Sequence, residues 1–402
     1  MIHPWLVDEM EVTIRITTEC KHLPWFLNSK KADVHRFEYT RKQKPSMNLF
    51  RHVQKRLLLL QAMYLYVNLP WIINERDYNC SGRTVSEWLA RGQIDYVQGI
   101  YFAVSGTIFL VFYLLTLIVM YRESMLDHSC YRLMFFGGVI DVICLIIGSH
   151  LTAYFHIRGT VFCSDSLLDQ FAGHSTWSLW NGSSLNCVIL AINRAIEMLP
   201  LLQGFRFLFR GYFVNGWMLL CLFYMLVRPF ITRPCPFNSK ISSYFFPPLI
   251  SDDIAWEMSY YYSLLHPLHN ISITVILISV YTTVCIYVIK ERRRANYRID
   301  GVEIQLFLQV LCICVITTAN SLLNVYINYV ESPAFLITIA NILWQLNHGI
   351  HGIIYMAMNQ QIRRGVWSLL KRGRTGAKSS SVGSLVKTHK KEHEITNHSS
   401  AQ

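Results

Sequence analysis

Asp141 stands several residues inside a stretch that is otherwise apolar. A carboxylate in that setting must pair, bind a cation or keep its proton. It reads either as a switch element or as a hydrogen-bonded anchor between helices. A second charged group, Arg194 in Asn193-Arg194-Ala195-Ile196-Glu197, closes another long apolar stretch, with Glu197 one helical turn further on. An arginine there can be held by a local acid and released to a partner, or can simply snorkel to the interface. Trp344, Gln345, Asn347, His348, Gly349, His351, Gly352 and Tyr355 crowd one further stretch. Small and polar residues of this kind let helices approach and hydrogen-bond, and Tyr355 is the switch candidate among them. Neither HExxH, GxSxG nor a phosphate-binding glycine loop occurs, and no cysteine or histidine spacing fits a metal. The residues therefore suggest recognition and switching without enzymatic chemistry, metal or cofactor.

The elements that must position these groups follow from composition. Of 402 residues, 52% are hydrophobic and 15% charged, against about 25% charged in a soluble domain. A span needs about 20 residues at the helical rise. Seven stretches qualify: Val97–Tyr121, Leu133–Phe155, Gln170–Ile196, Gly211–Ile231, Leu264–Ile289, Ile304–Tyr329 and Ala334–Met358. The fold class predicted is an all-α membrane protein, a bundle of seven transmembrane helices. The third stretch carries His174, Asn181, Ser183, Ser184 and Asn186, so it should face the bundle interior.

Basic residues set the orientation. Arg122, Arg132, Arg206, Arg210 and the run Lys290–Arg298 fall in one set of connections, and the tail from Arg363 holds nine Lys and Arg against Glu392 and Glu394. That set is expected in the cytosol with the C-terminus, placing the start of the first span outside. The net charge of +12 thus reads as membrane topology and lipid attraction, without nucleic-acid binding. Asn79-Cys80-Ser81 is a glycosylation acceptor on the outer side. Cys80, Cys163 and Cys235 fall there too, where disulfides persist. The pairing expected is Cys163–Cys235, which would pin the long loop Thr232–Ser263 over the bundle mouth. Cys80 is a third candidate, so counting alone does not fix it.

Three regions result: an N-terminal region 1–96, the helical domain 97–358 and a tail 359–402. Leu57–Ile73 reads as a signal-peptide core, if the functional chain starts at or after Met47, or as an extra span. In the tail, Ile362, Val366, Leu369 and Leu370 recur at helical spacing, predicting a short amphipathic helix over Gln360–Lys371 on the inner leaflet. Aromatic and polar residues at mid to outer depth form a candidate ligand pocket: His150, Trp177, Trp180, Asn181, Asn320, Asn324 and Trp344.

An ordered set of short motifs carries a resemblance. Tyr78-Asn79-Cys80 precedes the first span, Ser129-Cys130-Tyr131 the second and Gly159-Thr160-Val161-Phe162-Cys163 the third. Leu190-Ala191-Ile192-Asn193-Arg194 through Glu197, Pro236-Phe237-Asn238-Ser239, Trp344-Gln345, His348-Gly349, Tyr355 and Asn359 through Arg363 complete it. From about Tyr78 to Arg364 the chain resembles the nematode serpentine chemoreceptors of class T (Srt). The resemblance implies a G-protein-coupled receptor of the plasma membrane, with an external ligand and a heterotrimeric G protein as partners. Two departures stand out: His351-Gly352-Ile353-Ile354-Tyr355 replaces the Asn-Pro-x-x-Tyr of rhodopsin-like receptors, and Ile304–Tyr329 lacks a proline for a kink. The rival readings are a seven-span ligand-gated channel of the insect odorant-receptor type, with its N-terminus inside, and a transporter, which should show related halves.

Overall fold

The computed structural model describes residues 66–292, 301–330 and 332–371. Seven long helices dominate: α1 (Tyr96–Arg122), α2 (Ser129–Arg158), α3 (Ser166–Met198), α4 (Tyr212–Ile231), α5 (Leu265–Arg292), α6 (Gly301–Tyr329) and α7 (Ala334–Met358). They match the seven apolar stretches to within a few residues, apart from longer ends on α2, α3 and α6. A further helix, α8 (360–371), follows a break at Asn359, as the tail periodicity predicts. Two short strands, β1 (Phe237–Asn238) and β2 (Ser243–Tyr244), pair antiparallel between α4 and α5.

Hydrocarbon cannot hydrate a peptide backbone, so each apolar stretch satisfies its own carbonyls and amides as a helix. Five of the seven are apolar enough to cross a membrane by composition alone. The other two, α3 and α7, carry polar side chains that the bundle buries. His174, Asn181, Ser183, Ser184 and Asn186 on α3 are all buried, as are Gln345, Asn347, His348 and His351 on α7. Helix α3 forms the axis, touching α2, α4, α5 and α6, while α7 closes the ring against α1, α2 and α6. Apolar side chains at the periphery, such as Ile100, Val104 and Val111 on α1 and Leu219, Phe223 and Leu226 on α4, are exposed and form the lipid face. The main core packs Tyr113, Met120, Leu133, Val188, Leu277, Val310 and Tyr355.

Two local features set the spacing around the site. Gly352 lets α7 lie against bare α1 backbone: a Cβ there would stand 2.9 Å from the amide nitrogen of Tyr113. Helix α2 widens into a π turn over Ile146–Leu151. Such a turn inserts one residue and rotates every later face of the helix.

One end of the bundle is capped. Residues 66–95 lie across it, with the Tyr66 and Asn68 amides donating to the Ile231 and Phe230 carbonyls (both 3.1 Å) and Gln170 Nε2 donating to the carbonyls of Pro70 (2.9 Å) and Ile72 (3.0 Å). Of the run Leu57–Ile73, residues 57–65 lie outside the described residues, and 66–73 are non-helical. The short helix Val85–Leu89 is held by a reciprocal cap, Thr84 with Glu87. A disulfide joins Cys80 to Cys163, Cα to Cα 5.4 Å.

This corrects the expected Cys163–Cys235 bridge. Tyr78 packs its ring 5.1 Å from Phe162 and 5.3 Å from Tyr261, and Trp88 Nε1 donates to the Cys80 carbonyl at 3.1 Å. That packing delivers Cys80, not Cys235, to the start of α3. The backbone of Cys235 is instead pressed onto α3 at Gly173, where a Cβ would meet it at 2.6 Å. The loop is still pinned, by Asp169 Oδ1 accepting from the Phe237 amide (2.7 Å) and by Phe237 stacked on Phe155.

Candidate ligand pocket and polar core

Beneath the cap lies a cavity of about 400 Å³. Helix α3 supplies Thr176 and Trp177 and, about one turn on, Trp180. The loop before α5 supplies Cys235, Tyr244 and Phe246, α5 supplies His266, α6 supplies Asn320 and Asn324, and α7 supplies Asn341 and Trp344. This is a largely apolar chamber with six aromatic side chains and a few polar anchors, the composition of a small-molecule site.

Five of the seven pocket residues expected from sequence line it: Trp177, Trp180, Asn320, Asn324 and Trp344. His150 does not. It belongs to the π turn, and its Nε2 lies 3.1 Å from Thr107 Oγ1 on α1. Regular helical counting cannot anticipate that rotation. Asn181 is fully buried and donates from Nδ2 to the Trp177 carbonyl at 2.6 Å, so it braces α3 behind the cavity. Sequence reasoning missed Tyr244, Phe246, His266 and Asn341. Three of these depend on the hairpin folding into the bundle mouth, where Tyr244 meets Thr152 Oγ1 at 3.0 Å and Asn341 Nδ2 donates to the Ser242 carbonyl at 3.0 Å.

The cavity floor rests on a polar core. The Trp344 ring lies 4.6 Å from that of His348, and the Trp180 ring 6.1 Å from it. His348 Nδ1 in turn lies 2.7 Å from Asp141 Oδ1, and His351 Nδ1 lies 2.9 Å from Oδ2. Tyr113 donates its hydroxyl to Oδ2 (2.7 Å) and Ser183 donates to Oδ1 (3.0 Å). One carboxylate thus ties α1, α2, α3 and α7 together, and both imidazoles place their Nδ1 proton toward it. Tyr355 stands one step further from the cavity, edge-on to Tyr113 at 6.3 Å and 6.4 Å from His351.

At the far end Arg194 is buried and donates to Asn193 Oδ1 (2.8 Å from Nη2), while Asn193 Nδ2 donates to Ser129 Oγ at 3.3 Å. The expectation that Glu197 holds Arg194 is replaced by a different pair: Glu197 Oε2 meets Arg206 Nε at 3.0 Å. The chain bends at Pro200 after α3 and returns Arg206 to that carboxylate, a contact that spacing along one helix could not reveal. Helix α6 runs unbroken from Gly301 to Tyr329, in keeping with its lack of proline.

Charges on the cap are handled locally. Asp252 pairs with Arg91 (2.7 Å) and Arg83 (3.3 Å), and these hydrogen-bonded cations hold its carboxyl below the ordinary value of 3.8. Glu257 accepts from the Leu249 and Ser251 amides, and its burial outweighs those bonds and pushes its carboxyl upward. Asn79 is exposed on the same cap, its Oδ1 accepting from the Ser81 amide at 2.9 Å.

A bundle of seven apolar helices with an aromatic cavity at a disulfide-tied end defines a serpentine membrane protein. Residues 62–379 match the family described as "Serpentine type 7TM GPCR chemoreceptor Srt", and the chain belongs to that family. Among its relatives is serpentine receptor class T-55 of Caenorhabditis elegans, 25% identical over 311 residues, covering 76% of this chain and 84% of the relative.

Proposed function

We propose that this chemoreceptor binds a small external ligand in the capped cavity and signals to a heterotrimeric G protein at its opposite end. The capped end then faces outward, with Asn79 available for glycosylation, and the basic end with α8 faces the cytosol of a plasma membrane. One observation carries the reading. The cavity floor, Trp180 and Trp344, is continuous through His348 and Asp141 with Tyr355 near the far end. A ligand that moves Trp344 acts on a carboxylate shared by four helices, so it favours one helix arrangement over another. Arg194, Asn193 and the end of α6 lie where such a rearrangement would open.

Surface-expressed receptor with a second-messenger readout tests this. Alanine at Trp177 or Trp344 should abolish the response to an activating compound while surface level is retained. Arg194→Ala should abolish the response and leave binding intact. An unchanged response in all three variants refutes the assignment. A glycan shift lost on Asn79→Gln checks the orientation, and absence of any glycan with a cytosolic cap would favour the channel reading.

A further inference from the structure

Arg228, on the last turn of α4, is 5% exposed. It donates to the Tyr224 hydroxyl, and its guanidinium carbon lies 4.7 Å from the Tyr224 ring centroid and 5.7 Å from that of Trp177. No Asp or Glu among the described residues pairs with it, and its Nε has no partner. An isolated buried cation is costly, and proteins almost always supply a counterion. Cation–π contacts offset only part of that cost.

The missing partner has an obvious place to arrive. Trp177 and His266, whose rings are 4.8 Å apart, line the cavity, and the Arg228 guanidinium, itself not on the lining, lies 5.7 Å from the Trp177 ring. Among the described residues, no Asp, Glu, Lys or Arg lines the cavity. Among the described residues, two lining side chains hold buried polar atoms without a partner, Trp177 Nε1 and Asn320 Nδ2, and both are donors. Open donors and an unpaired cation call for an acceptor that is also negative. Among the described residues an ammonium ligand would find no carboxylate, and it would meet a repelling guanidinium.

We propose that the ligand is a small organic anion, an apolar or aromatic body bearing one compact acidic group, and that this group sits beside Trp177 and His266 as the counterion of Arg228. The proposal deepens the receptor reading above and rests on it for the site, while its test does not depend on G-protein coupling.

The test uses the full chain purified in lipid nanodiscs and three probes of nearly equal size: hydrocinnamate, hydrocinnamyl alcohol and phenylpropylamine. Thermal-shift titration should show the carboxylate binding at least about tenfold tighter than the alcohol, with the amine weakest. Arg228→Gln should make carboxylate and alcohol equal, and Arg228→Lys, which keeps the charge, should restore the order. Should Arg228→Gln fail to fold, the wild-type ranking and the Lys variant still decide. Alcohol or amine binding as tightly as the carboxylate, no stabilisation by the carboxylate at millimolar concentration, or a carboxylate preference that survives Arg228→Gln would overturn the proposal. The alcohol-binding outcome would leave the cavity a ligand site of another class. Loss of response in Trp344→Ala is the separate check on the receptor reading.

Discussion

Two buried charges within this bundle are treated in opposite ways. Asp141 receives four hydrogen bonds from Tyr113, Ser183, His348 and His351, drawn from three other helices. Arg228, equally removed from solvent, has aromatic faces and one tyrosine hydroxyl but no carboxylate among the described residues. The first is a completed network whose members specify how the helices dock. The second is incomplete, and it lies beside a cavity. Saturation by the protein itself separates a structural charge from one reserved for something that arrives later.

The largest effect that can break this comparison is Asp141→Ala. It leaves four buried donors without their acceptor and should cost at least about 3 kcal/mol, seen as a collapse of surface level and of the unfolding temperature in nanodiscs. A variant that expressed and melted like wild type would mean the network is decorative. Next in size is the bridge that seals the cap. Cys80→Ser or Cys163→Ser should each cost about 2–4 kcal/mol, and a gel shift on reduction should vanish in both variants and persist in Cys235→Ser. Arg228→Gln sharpens the contrast from the other side. Removing an unpaired buried cation should leave the unfolding temperature unchanged or raise it, measured without added ligand. A large loss of stability there would place Arg228 with Asp141 as a structural charge.

The smallest effect belongs to Asp252, fully exposed beside Arg91 and Arg83. Its carboxyl is held below the ordinary value, so its folded form binds protons less readily than its unfolded form. The stability it adds is present above the ordinary Asp range and is lost as pH falls through the lowered value. Asp252→Asn should therefore lower the unfolding temperature slightly at neutral pH, and the gap to wild type should close under acid and shrink with salt.

Sequence alone carried the helices and much of the cavity, for a definite reason. Charge-free runs such as Ile100 to Met120 have only one answer in hydrocarbon, and the polar residues of α3 and α7 could point only inward. Trp177, Trp180 and Trp344 followed, because depth within a regular helix is readable by counting. What counting could not reach were contacts made by irregular chain. The Cys80–Cys163 pairing depends on how residues 74–90 fold over the cap, and the Glu197–Arg206 pair on a return after Pro200. His150 was misplaced by a single inserted residue in α2. Arg228 closes the fourth apolar stretch, where a charge could equally reach the interface, and only packing against Trp177 and Tyr224 shows it to be buried.

The widened turn of α2 has a mechanical consequence. At Gly148 the helix offers no side chain, and the Trp344 indole fills the gap so closely that a methyl group would stand 1.9 Å from Cζ3. The indole is wedged between backbone on one side and the chamber on the other. It has no room on the backbone side, so a push on it from the chamber is delivered to α2 and α7 together.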